Sequence, residues 1–238
     1  FITTRTHLEH DLERDLKVLA HTIKILTEKE QVKFFVEYWE HEDRKLVKKS
    51  ANQLVDKIFE IHSSKTSLIG APLIVQGLAE AYKDKIDKNF EREIENLDIS
   101  SIYEKIVENF LKILSSRFPQ NSELYMNMSM SLMQLHQFFA IFILFGEEFT
   151  SLLGLNHDKD EWPPEEVARC GLIKYDNEGK FHFNHQTNAE YFVSGFIFHL
   201  LKTVKKLTKI QLVLIFQVLT SVKFQIIRMF LDSMLNRV

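Results

Sequence analysis

Apolar residues recur at three-and-four spacing along most of this chain, the signature of amphipathic helix. Thr27-Glu28-Lys29-Glu30 reads as a capping box opening a helix that carries Val32, Phe35, Val36 and Trp39 on one side. A second stripe, Leu46, Val47, Leu54, Ile58 and Ile61, predicts a helix over Asp43 to His62. Pro72 stands where a first-turn proline is favoured, ahead of a helix to about Lys83. Lys83 to Glu95 reads as a charge-rich connector. Ser100 to Phe118 is amphipathic through Ile102, Ile106, Phe110, Ile113 and Leu114, and Pro119 and Asn121 end it. Ser122 to Phe145 is apolar almost all round, which predicts a long helix central in the core.

The first residues and the last third read differently. Thr6-His7-Leu8-Glu9 fits a capping box for a short helix to about Lys17, and Val18 to Ile25 reads as a candidate strand. After Trp162-Pro163-Pro164, a short helix over Glu165 to Arg169 leads to two short candidate strands, Leu172 to Tyr175 and Lys180 to Asn184. Asp176-Asn177-Glu178-Gly179 between them is a turn signal. The alternation Phe181-His182-Phe183 sends both phenylalanines to one face. Thr187-Asn188-Ala189-Glu190 reads as a third capping box, starting a helix through Leu200. Two apolar helices follow, about Leu207–Leu219 and Lys223–Leu235. Helix, short helix, β-hairpin, helix is the outline of a winged helix. The expected fold class is therefore mainly α: a helical bundle, then a winged-helix-like unit with one β-hairpin, then further helices.

Composition narrows this further. Only 7 Gly and 4 Pro in 238 residues leave little turn chemistry for a many-stranded sandwich or barrel. Hydrophobic residues at 45% and charged residues at 26% exclude a disordered chain. A net charge of −3 argues against nucleic-acid binding as the main task. The single cysteine, Cys170, cannot form an internal disulfide, so a reduced, cytoplasmic setting is expected. The apolar run Phe138 to Phe145 is too short to span a bilayer, and lysines interrupt the run from Phe196 to Phe224, so no membrane insertion is expected. The absence of an initiator Met suggests a piece of a longer protein.

The chemistry-bearing motifs of common enzymes are missing. No Gly-x-x-x-x-Gly-Lys-Ser/Thr stretch occurs, so the chain carries no phosphate-cradling loop, nor does it hold Gly-x-Ser-x-Gly or His-Glu-x-x-His. His182 and His185 are three apart but lack a third ligand nearby, which favours structural histidines over a metal site. Nothing beside Cys170 would lower its pKa, so it reads as a small packed residue.

Three stretches together carry a resemblance: Thr3-Thr4-Arg5-Thr6-His7-Leu8, Gly70-Ala71-Pro72-Leu73 running into Leu78-Ala79-Glu80, and Phe183-Asn184-His185-Gln186-Thr187-Asn188-Ala189-Glu190-Tyr191-Phe192. In this order they resemble the second half of NACHT-type STAND nucleotide-switch proteins, above all the arthropod forms in which that module precedes ankyrin repeats. The likeness runs from Thr3 to about Leu235. It implies that residues 1–27 end a nucleotide-binding domain, 28–162 form a helical domain, 163–204 a winged-helix-like domain, and 205–238 the start of a following helical region. It further implies three nucleotide-binding residues. Arg5 would face the terminal phosphate, Pro72 would pack against the nucleotide, and His185 would touch the phosphates and hold an ADP-bound, closed state. The physics of each position is compatible: an arginine at a strand end can pair with phosphate oxygens, a helix start is mildly electropositive, and rigid flanking elements aim His185.

What the resemblance implies is a regulatory part of a signalling switch of innate-immunity type, sensing ATP or ADP and gating oligomerisation. It implies no catalysis and no cofactor in the isolated chain, since the phosphate loop and magnesium-binding acids would lie upstream, with ATP or ADP bound by the parent. The implied partners are the upstream nucleotide-binding domain, a downstream repeat domain and, on activation, further copies. Asn188 departs from the family's usual aromatic residue, which would loosen that helix's packing. Two rivals stand beside this reading. One is an all-helical protein-interaction scaffold without nucleotide binding. The other is a DNA-binding winged helix, disfavoured because Pro164 to Arg169 sets two carboxylates against one arginine.

Overall fold

The structure is a computed structural model that describes residues 26–62, 72–115, 122–155, 172–175, 180–203 and 205–237. The predicted helix over His7–Lys17, the strand over Val18–Ile25, the helix over Glu165–Arg169 and the turn 176–179 lie outside the described residues, as do Arg5 and Cys170. The described part is mainly helical, with one two-stranded antiparallel sheet. The chain divides into two compact units, residues 1–79 and 80–238.

The first unit holds α1 (Glu28–Tyr38), α2 (Arg44–His62) and most of α3 (Pro72–Tyr82). The capping box forms as the sequence predicts: the Glu30 N–H donates to the Thr27 hydroxyl, and the Glu30 carboxylate accepts from the Thr27 N–H at 2.8 Å. Asp43 caps α2, its carboxylate accepting from the backbone N–H groups of Lys45 and Leu46, both at 3.0 Å. The buried stripe of α1 runs Gln31, Phe35, Trp39, and that of α2 runs through Val47, Ala51, Leu54, Val55 and Ile58. The Trp39 ring stacks on Phe35 at 5.1 Å and donates its indole N–H to the Ala79 carbonyl at 2.8 Å, which ties α1 to α3.

In the second unit the predicted charge-rich connector is structured. Lys83–Lys85 forms a 3₁₀ turn and Phe90–Glu95 forms α4, because Phe90 and Ile94 have a core to enter. Then come α5 (Ile99–Ser115), α6 (Ser122–Phe145), α7 (Glu147–Leu152), β1 (Ile173–Tyr175), β2 (Phe181–Phe183), α8 (Gln186–Thr203), α9 (Lys209–Thr220) and α10 (Gln225–Asn236). Gly146, at φ 93°, makes the break between α6 and α7, a left-handed conformation that costs glycine little.

The hub of this unit is α8, which packs along α6 on one side and α10 on another, and also meets α5 and β2. Ten of its residues are buried, from Thr187 to Leu200. The long helix predicted to be central, α6, flanks this hub. Tyr103 of α5, Tyr191 of α8 and Phe230 of α10 meet as a triad with ring centroids 4.8–5.8 Å apart. Such geometry adds roughly 0.5–1.5 kcal/mol per pair beyond the area buried. Burial pushes both tyrosine hydroxyls above their ordinary pKa, so the triad stays neutral.

Two polar devices close the helix ends. Asp98 caps α5, its carboxylate accepting from the Ser101 N–H at 2.7 Å and the Ser101 hydroxyl at 2.6 Å. From the far end of α10, Arg237 donates to Glu104 at 2.8 Å and to the Ser100 hydroxyl at 2.6 Å, while Ser233 donates to Ser100 at 2.9 Å. Arg228 donates to the carbonyls of Val218 and Ser221, satisfying the C-terminal end of α9.

Candidate functional site

The candidate site is the junction between the hairpin and α8, which contains His185. Ile173 pairs with Phe183, Lys174 with His182 and Tyr175 with Phe181. The Asn184 N–H extends the ladder to the Leu172 carbonyl at 2.9 Å. As the alternation predicts, Phe181 and Phe183 share a face. Phe181 meets Phe139 of α6 at 4.1 Å, and Phe183 meets Phe192 of α8 at 5.8 Å and the His136 ring of α6 at 6.4 Å. The ribbon is therefore fastened to both α6 and α8.

Asn184 and His185 turn the chain from β2 into the helix. The His185 carbonyl accepts from the Asn188 N–H at 3.0 Å, and its side chain is half-buried. The predicted capping box at Thr187 does not form. The helix begins at Gln186, so Thr187 already lies inside the first turn and is buried. Glu190 reaches instead for the side chain one turn back, accepting from the Gln186 amide at 3.0 Å. The reason is geometric: the two-residue turn that leaves β2 consumes the cap position. Asn188 is buried as well, on the packed face of α8.

A line of polar groups continues inward. Glu190 is only 5% exposed, and burial raises its pKa against the opposing pull of the Gln186 hydrogen bond. The Ser194 hydroxyl lies 2.7 Å from the Glu190 carbonyl and 3.0 Å from the Ile227 carbonyl, linking α8 to α10. His136 is wholly buried, with its ring 5.0 Å from that of Phe192. Its Nδ1 lies 2.7 Å from the Leu132 carbonyl. A carbonyl only accepts, so Nδ1 carries the proton and Nε2 is left as an acceptor. That Nε2 meets no donor among the described residues. Burial drives the His136 pKa down to about 4, only partly opposed by the Leu132 carbonyl, so the ring is neutral at physiological pH.

Of the three residues that the family resemblance singles out, Arg5 lies outside the described residues. Pro72 opens α3 in the first unit, and His185 sits at the β2–α8 junction of the second. No group of three or more metal-ligating side chains occurs among the described residues. Sequence reasoning overlooked His136 and misassigned Glu190. The available signals were a histidine inside the apolar run of α6 and a carboxylate leading directly into Tyr191-Phe192-Val193. No family model, curated protein or solved structure matches the chain.

Proposed function

We propose that this chain is a regulatory part of a nucleotide-dependent switch of the NACHT type, in which His185 reads the bound nucleotide and the hairpin–α8 unit transmits its state. One observation carries the reading: an antiparallel ribbon runs straight into a buried helix, with His185 at the junction and aromatic contacts fastening both ends of β2. A histidine held between rigid elements keeps its aim, which a phosphate-sensing group needs. Arg5 and Pro72 would supply further nucleotide contacts, ATP or ADP being bound with an upstream domain. The setting is cytoplasmic, the chain itself catalyses nothing, and the output is oligomerisation.

The test is His185→Leu in the protein extended upstream through a phosphate-binding segment. A charge-assisted hydrogen bond contributes about 1.5–3 kcal/mol, so loss of the contact shifts a two-state equilibrium roughly tenfold to a hundredfold. Oligomerisation without a trigger, at unchanged melting temperature, is the expected result. A lowered melting temperature without oligomerisation makes His185 a structural residue and removes the proposal. The second reading, an all-helical interaction scaffold, is favoured by the predominance of helix among the described residues. It predicts no nucleotide binding by that same extended protein, which a calorimetric titration with ADP decides.

A further inference from the structure

Helix α9 is anchored by one narrow edge. Leu214 and Val218 are buried, whereas Leu212, Val213, Phe216 and Leu219 on the opposite side are exposed, Phe216 by 67%. Val222, just past the helix, is 83% exposed. At 100° per residue the four exposed side chains on α9 form one continuous strip along its surface. An exposed apolar patch of this kind marks a binding face.

The charge around the strip is one-sided. From Tyr191 to Leu231 the chain has no Asp or Glu, but it has Lys202, Lys205, Lys206, Lys209, Lys223 and Arg228. The whole chain has 30 basic and 33 acidic residues, so the remainder has 24 basic against 33 acidic, a net of −9, while this stretch is +6. Lys205, Lys206 and Lys209 stand exposed at the N-terminal end of the strip and Lys223 at the other. None of these four forms an ion pair with a described residue. The break after α9 bends the chain by 87°, so that α10 turns into the core while α9 stays at the surface. No single described helix is long and apolar enough to cross a membrane.

From this juxtaposition we infer that α9 docks the protein onto a bilayer surface bearing anionic lipid, with Leu212, Phe216 and Leu219 in the interface and the lysines on the headgroups. The proposal is independent of nucleotide binding at His185. Charge complementarity selects this occupant: lysine is depleted in protein–protein interfaces, whereas lysines beside a Phe- and Leu-bearing helix face are the composition of interfacial membrane helices. A strip with few hydrogen-bonding groups also suits an acyl boundary better than a shaped protein pocket.

The test is sedimentation of the full chain with vesicles of phosphatidylcholine alone or with about 30% phosphatidylserine. Binding to the anionic vesicles only, weakened by salt, is expected. Leu212→Gln with Phe216→Gln lowers binding at least tenfold, and Lys205→Gln with Lys206→Gln lowers it by an order of magnitude, since each lysine near the surface changes partitioning about fivefold. Circular dichroism checks that helix content is kept. If the apolar pair unfolds the chain, the lysine pair, which alters only exposed side chains, decides. Equal sedimentation with both vesicle types or with neither overturns the proposal. So does unchanged binding by the lysine pair, or a dimer in light scattering that the Gln variants dissolve while vesicles are ignored.

Discussion

At the scale of single residues, two buried titratable groups give opposite pH signatures. His136 falls from an ordinary value of 6.5 to about 4 on folding. Between those values the unfolded chain binds the proton that the folded chain refuses, so stability falls as pH drops through that window. From pH 7.5 to pH 5 the loss from this group is about 2 kcal/mol. His136→Phe keeps the ring against Phe192 and removes this loss, read as the difference between wild type and variant in urea unfolding at the two pH values. Glu190 is the reverse case, since its folded pKa is raised. Its charged form is disfavoured in the folded state, so lowering the pH from above the folded pKa toward 4.5 adds stability. Glu190→Gln therefore raises the melting temperature at pH 7, and the gain shrinks as the pH approaches 4.5. Gly195 lies within α8, where an added Cβ would meet only the Gln137 amide nitrogen at 3.7 Å, an ordinary contact. Gly195→Ala accordingly stabilises by about 0.5–1 kcal/mol through backbone entropy, measurable as a higher denaturation midpoint.

At the scale of elements, what the sequence revealed followed from local rules, and what it concealed depended on neighbours. The Thr27 box and the Pro72 start were legible because the groups involved lie within one turn. The hairpin was legible from two short strands around a turn signal, and Phe181 and Phe183 face the core as their alternation requires. The Thr187 box failed because residues 184 and 185 were needed to leave β2, which a four-residue pattern does not register. Helix α4 was hidden for a similar reason, since Phe90 and Ile94 are two apolar residues in a charged run and become a helix face only against a core. Arg228 shows the same dependence: its guanidinium lies ten residues beyond the Val218 carbonyl it satisfies. Arg228→Met keeps the stem and loses the bonds, lowering stability by about 1–3 kcal/mol with the largest amide-exchange increase at the end of α9. At the candidate site, only the position of His185 was legible. The burial of Glu190 and His136 comes from the packing of α8 against α6 and α10, which periodicity along one segment does not show.

At the scale of the molecule, the chain divides into two compact units. Leu54 belongs to the first and Phe230 to the second. Each alanine substitution costs about 2–5 kcal/mol within its own unit, read in chemical denaturation. The second unit is also closed in an unusual order along the chain. Ser100, at the start of α5, is held by Ser233 and Arg237, 133 and 137 residues later. During synthesis, then, the N-terminal end of α5 leaves the ribosome long before the side chains that will bind it exist. Growth at about 5–20 residues per second makes that wait on the order of ten seconds. Until Ser233 and Arg237 emerge, the N-terminal end of α5 lacks the side chains that hold it in the finished unit.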